Sequence, residues 1–193
     1  MNTKELELFY PKNQAEWRKW LMENHQSENS VWLLFYKKKS KIPSLTWSQA
    51  VDEALCFGWI DSVKKTVDAD SYKQYFSKRK AKSTWSKINK DKVDQLIKDG
   101  QMMQAGLKSV EVAKENGSWT YLDVIDQLII PDDLEQAFEK HPNSKSFFLS
   151  LSKSVRKGIL YWVLDAKRPE TRQKRIQEIA EQASQNLKPK PFR

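Results

Sequence analysis

Trp59, Asp61, Arg79, Trp85 and Asn89 stand within one short stretch of this chain, with Ser83 between Arg79 and Trp85. A carboxylate, a guanidinium, indoles, a hydroxyl and an amide drawn together could hold a small polar ligand, since each supplies a directional donor or acceptor on an apolar wall. A competing reading is internal. Asp61 and Arg79 would then form an ion pair pinning a strand hairpin to the next helix, with Trp85 in the core and Asn89 satisfying backbone groups. A third reading gives Asp61 the work of an acid or base, motivated only by the clustering of ionisable groups.

The same stretch is the densest basic and aromatic tract. Lys64, Lys73, Lys78, Arg79, Lys80, Lys82 and Lys87 interleave with Tyr72, Tyr75, Phe76 and Trp85. Strand aromatics can stack bases while lysines neutralise phosphates, which would make a weak, sequence-tolerant nucleic-acid binder. Against it, aromatics at alternating strand positions are expected in a core, and basic surfaces are common. A second cationic group, Arg168, Arg172 and Arg175 with Lys167, surrounds a helix-to-helix corner opening at Pro169, where an anion or a partner's acidic tail could dock. Its ordinary explanation is capping, with cations closing one helix and Glu170 beginning the next.

These side chains need elements to position them. Asn13-Gln14-Ala15-Glu16 has a capping-box pattern and predicts a helix over 14–25, with Trp17, Trp20 and Leu21 at helical spacing. Residues 31–36, VWLLFY, predict a buried strand that leaves through Lys37–Lys41. Thr46-Trp47-Ser48-Gln49 begins another helix, with Trp47, Ala50, Val51, Ala54 and Leu55 on one face and Gly58 as its stop. Residues 59–67 and 72–78 then predict a hairpin in which Val67 faces Tyr72, Val63 faces Phe76 and Asp61 faces Lys78, or Arg79 after a one-residue bulge. Ser83 is the expected cap of a helix over 84–99, followed by one carrying Met103, Leu107 and Val110. Later starts fall at Pro131, at Asn143 or Ser144, at Ser152 and at Pro169.

Composition removes whole classes of function. In 193 residues there are five isolated glycines, so neither a P-loop nor a dinucleotide-binding turn can be written. Cys56 is the single cysteine and should be a buried, inert thiol; His25 and His141 are expected at helix boundaries. No metal site and no cofactor is expected. The net charge of +9 favours anionic partners. The start, MNTKELELFY, has no secretory signal pattern and no apolar run approaches the roughly 20 residues a membrane span needs, so the expected location is the cytoplasm, without membrane insertion.

Ala54-Leu55-Cys56-Phe57-Gly58-Trp59-Ile60-Asp61, with Tyr72, Phe76, Arg79, Ser83, Trp85-Ser86 and Asn89, resembles the bacteriocin-protection, YdeI/OmpD-associated family. Ala166-Lys167-Arg168-Pro169-Glu170-Thr171-Arg172 and Arg175-Ile176 look like that family's helical C-terminal signature, so the resemblance spans about residues 9–185. It implies bacterial stress or bacteriocin protection, without assigned catalytic residues. The chain departs from the family pattern at Lys78 and at Lys80-Ala81-Lys82, where relatives tend to carry proline and a Pro-Gly pair; the loop is more basic for it.

The expected architecture is α+β: a small antiparallel sheet packed by helices over 1–117, an all-helical unit over 118–187, and a mobile basic tail over 188–193. The expected function is non-enzymatic binding of a protein partner or a small anionic ligand near Asp61–Asn89, with nucleic-acid binding and Asp61 chemistry as alternatives. The sequence leaves the oligomeric state open.

Overall fold

In the computed structural model, which describes residues 8–193, the strands and helices have the α+β character that the sequence predicts. The chain divides into one unit ending at Tyr121 and another over Leu122–Arg193.

The first unit is built on a four-stranded sheet of order β1-β2-β4-β3. In β2 (Ser30–Tyr36) Val31, Leu33 and Phe35 are buried, while Trp32, Leu34 and Tyr36 point to the opposite face and stay partly exposed. β4 (Ser71–Lys78) runs antiparallel to β2, and β3 (Trp59–Thr66) closes the hairpin at the edge. β1 (Leu8–Phe9) lies parallel to β2, so the sheet is mixed rather than purely antiparallel. Two residues are too few to show a strand period, so β1 carries no pattern of its own.

On the core face, α1 (Gln14–Asn24) brings Trp17 and Trp20, whose rings stack at 5.2 Å, against Phe76 and Trp59. Asn13 caps α1, accepting from the Glu16 N–H at 3.0 Å. The Glu16 carboxylate accepts from Lys12 rather than Asn13, so only half of a capping box forms. α2 (Trp47–Cys56) has both halves, between Thr46 and Gln49. Trp47 is 45% exposed, off the buried face where its spacing had put it; as the first helical residue it leans out toward β3.

α3 (Lys87–Lys98) and α4 (Gln104–Glu115) both pack on α2. Ser86, not Ser83, caps α3, accepting from the Asn89 N–H, because Ser83 donates its N–H to the Lys80 carbonyl in a preceding turn. α4 approaches the end of α2 so closely that a Cβ on Gly106 would lie 2.3 Å from the Cys56 carbonyl oxygen. Gly58, at φ 72°, supplies the left-handed turn from α2 into β3.

The hairpin register differs from the expected one. Thr66 faces Tyr72, Lys64 faces Gln74, and a shift between Asp61 and Lys64 leaves Asp61 opposite Phe76 and Trp59 opposite Lys78. The extra residue is taken up in β3, whose edge Lys64, Lys65 and Val63 meet solvent, so the irregularity costs no core contact.

The second unit is helical: α5 (Asp123–Asp126), α6 (Asp132–Glu139), α7 (Ser144–Ser150), α8 (Lys153–Leu164) and α9 (Pro169–Ser184). Leu134, Phe138, Phe148, Ile159, Leu160, Ile176 and Ile179 form its core. The basic end turns back on this unit. Phe192 sits 6.0 Å from the Trp162 ring and beside Gly158, and the Lys190 N–H donates to Glu178 at 2.9 Å. An aromatic anchor that the prolines had masked holds it there.

Candidate functional site

The end of α2, the ends of the β3–β4 hairpin and α4 converge in the first unit around a cleft of about 450 Å³. Phe57, Gly58 and Trp59 form one wall, Lys78, Arg79 and Ala81 another, and Ala105, Lys108, Ser109 and Val112 of α4 a third, with His25 and Gln26 at the rim. No carboxylate is among the lining residues. The walls are fixed by backbone contacts. The Arg79 N–H donates to Gly58 at 2.9 Å, and the Met103 N–H donates to Cys56 at 3.1 Å. Asn116 Nδ2 donates to the Ala81 carbonyl at 2.8 Å, and Ser118 Oγ donates to it at 3.3 Å.

Arg79 is the central cation. Its guanidinium carbon lies 3.6 Å from the centroid of buried Trp85, and Nη2 donates to the Thr84 carbonyl at 2.7 Å. Its Nε and Nη1 are shielded from water and have no acceptor, and neither has the Nε1–H of fully buried Trp59. Burial pulls the guanidinium down to about 10, an effect partly offset by the charge of Asp61, so it remains cationic at neutral pH. A buried donor without a partner costs about 1–3 kcal/mol, and a charged one more. Arg79 and Trp59 both line this acid-free cleft.

His25 Nδ1 lies 2.8 Å from the Leu21 carbonyl, which fixes its proton there and leaves Nε2 to face other groups. Lys78 Nζ donates to the Gln26 carbonyl at 2.8 Å. Lys108 pairs with Glu111 at 2.6 Å on an exposed helix face, a contact easily exchanged for an anion.

Of the residues singled out in the sequence, the structure brings Trp59, Arg79 and Trp85 together. Asp61 does not pair with Arg79. Its Oδ2 accepts from Trp47 Nε1 at 2.8 Å and Gln74 Nε2 at 2.9 Å, tying β3 to the start of α2, and it does not line the cleft. The register shift carries it there. Ser83 sits in the turn before Trp85, and Asn89 in the first turn of α3. Sequence reasoning missed His25, Phe57, Lys108 and Ser109. The last two arrive from α4, and no local pattern marks that meeting.

The basic tract also scatters. Lys64 covers the Tyr72 ring at 4.0 Å, Lys87 pairs with Asp91 at 2.9 Å, and Lys80 and Lys82 lie on the exposed loop after β4. Only Lys73 of that set sits on the sheet face away from the core.

At the second unit's corner, Arg172 Nε and Nη2 donate to Asp133 at 2.6 and 2.9 Å and Nη1 donates to Val163 at 3.2 Å. Arg175 donates to the Trp162 carbonyl at 2.5 Å with its guanidinium 5.1 Å from that indole ring. Arg168 is exposed at the start of α9. The guanidinium of Arg172 holds Asp133 below the usual carboxylate range. Among the described residues no group of His, Cys, Asp or Glu could hold a metal ion, and no helix is long and apolar enough to cross a membrane.

A family model described as a domain of unknown function (DUF8412) matches residues 9–109, more than half of the 193. The chain belongs to the DUF8412 family. The cleft walls of this DUF8412 protein, apart from Val112, lie inside that match. A second model, described as Bacteriocin-protection, YdeI or OmpD-Associated, matches residues 127–186. That match lies in the helical unit and is narrower than the span over which the sequence resembled the family. No curated protein and no solved structure matches the chain.

Proposed function

We propose that this DUF8412 protein is a binding protein for a small anion, a phosphate or carboxylate, held in the cleft between Trp59, Arg79 and Lys108. The observation that carries the reading is the Arg79 guanidinium, charged and largely buried, with two N–H groups lacking any acceptor. Burying a cation without a counter-charge is costly. Here the compensating Asp61 acts only from a distance, while an oxyanion in the cleft would bring a counter-charge to Arg79 and accept a charge-assisted hydrogen bond from it.

The indole N–H of Trp59 is a further buried donor without an acceptor, and Trp59, Lys78, Lys108 and His25 all line the cleft. A non-enzymatic role in bacterial stress or bacteriocin protection, acting in the cytoplasm, accompanies this reading. Of these, bacteriocin protection is the part that the description of the family model matching residues 127–186 names.

Calorimetric titration at low ionic strength with inorganic phosphate, citrate and, as a neutral control, glycerol tests the proposal. Saturable binding of an anion, absent for glycerol and weakened at least tenfold in Arg79→Met, is expected. Binding equal in wild type and Arg79→Met, or none for either anion, would remove the cleft as the site.

A further inference from the structure

The sheet of the first unit has a second face, away from the helices. Strand alternation puts Trp32, Leu34 and Tyr36 of β2 there, and Lys73 and Tyr75 of β4. Trp32 stands opposite Tyr75, with their rings at 5.1 Å, and Lys65 of β3 stands opposite Lys73. Both ammonium groups reach the Trp32 ring, at 5.4 and 5.0 Å. Tyr36 meets Tyr10 edge-on at 5.1 Å. Neither Trp32, Tyr36 nor Tyr75 belongs to the hydrophobic core, and all three remain partly exposed. Along the described strands, no Asp or Glu shares this face.

We propose that this face is a platform for single-stranded nucleic acid, with Trp32 and Tyr75 stacking bases and Lys65 and Lys73 neutralising adjacent phosphates. A single apolar residue on an exposed sheet needs no explanation, but a paired Trp and Tyr beneath two lysines form a repeated aromatic and cationic unit. Ammonium groups over exposed rings are held weakly and can swing to phosphates when bases take their place. The match is to a single strand because a duplex hides the base faces that the rings would stack on. A face this wide suits about two or three bases, as in other four-stranded sheets that bind RNA. The site shares Lys73 and Tyr75 with the basic tract that the sequence emphasised but not Arg79, Lys64 or Lys87, which lie against Trp85, Tyr72 and Asp91. It is also independent of the anion cleft.

Fluorescence anisotropy with a labelled dodecamer of uridine and with an RNA duplex of equal length, at low and physiological salt, tests it. The single strand should bind at least tenfold tighter than the duplex. Neutralising two phosphates predicts log K falling against log salt with a slope of about −1.4.

Trp32→Leu retains apolar cover while removing the stacking face, and should weaken the single strand about tenfold, as should the Lys65→Ala/Lys73→Ala double variant. Arg79→Met should leave it unchanged. Circular dichroism separates loss of binding from loss of fold; should Trp32→Leu prove unfolded, Tyr75→Leu carries the same test. Equal affinity for duplex, an unaltered Trp32→Leu complex, or dependence on Arg79 instead would overturn the proposal. So would displacement of the RNA by vesicles containing phosphatidylserine with an affinity unaffected by Trp32→Leu.

Discussion

Arg79 and Arg172 are both arginines near the ends of elements, and each was a candidate anion contact in the sequence. Arg172 spends its donors inside the second unit, on both oxygens of Asp133 and on the Val163 carbonyl. Arg79 spends one nitrogen on Thr84 and its face on Trp85, and keeps Nε and Nη1 without acceptors beside an acid-free cleft. Charge and local sequence do not separate the two. What separates them is whether the fold provides a carboxylate: the 130s corner does, whereas the register shift in β3 takes Asp61 to Trp47 and Gln74 and leaves Arg79 without one.

The largest expected effect comes from destroying one side of this comparison. Gly106→Val would drive a side chain into the Cys56 carbonyl, a backbone atom that cannot move aside cheaply. The first unit should lose about 3 kcal/mol, read from urea unfolding, and anion binding should go with it. An unchanged midpoint would show that α4 does not hold the cleft wall. Next, Arg79→Met should weaken phosphate binding tenfold to a hundredfold, about 1.4–2.8 kcal/mol, whereas Arg172→Met should leave binding alone. Equal losses in both would erase the distinction.

Arg172→Met should instead destabilise the protein by about 1 kcal/mol, because its pair with Asp133 is bidentate but partly exposed. The smallest effect is its pH dependence. The folded-state pKa of Asp133 is lowered, so its contribution is present above the ordinary carboxylate value and disappears as pH falls through the depressed one. The stability gap between wild type and Arg172→Met should therefore narrow below about pH 4. A constant gap would mean that packing, not charge, carries the corner.

Much of the first unit was legible because its signals are local. The Thr46–Gln49 box, the apolar run at 31–36 and the Gly58 stop each act within a few residues. Failures occurred where a choice depended on distant partners. Ser83 and Ser86 are equally good caps by type, and only the Lys80 turn decides between them. The hairpin register rested on Val67 facing Tyr72, which put Val63 opposite Phe76, but both valines are exposed, where burial does not enforce register. For the site, Trp59, Arg79 and Trp85 could be grouped because strand and helix order bring them near. Lys108 and Ser109 could not, since they come from a helix whose approach depends on the missing side chain of Gly106.

Thermal unfolding of wild type and Arg79→Met, each with and without a large excess of inorganic phosphate, tests most directly whether Arg79 is held for a ligand. Without phosphate the variant should match wild type within about 1 kcal/mol, since losing the Thr84 bond and the Trp85 stacking is offset by removing a buried cation. Phosphate at a hundred times the wild-type dissociation constant should stabilise wild type by about 2.7 kcal/mol and the variant by only about 0.4–1.4 kcal/mol. A variant destabilised by 2 kcal/mol or more, beside a wild type that phosphate does not stabilise, would make Arg79 a structural residue like Arg172.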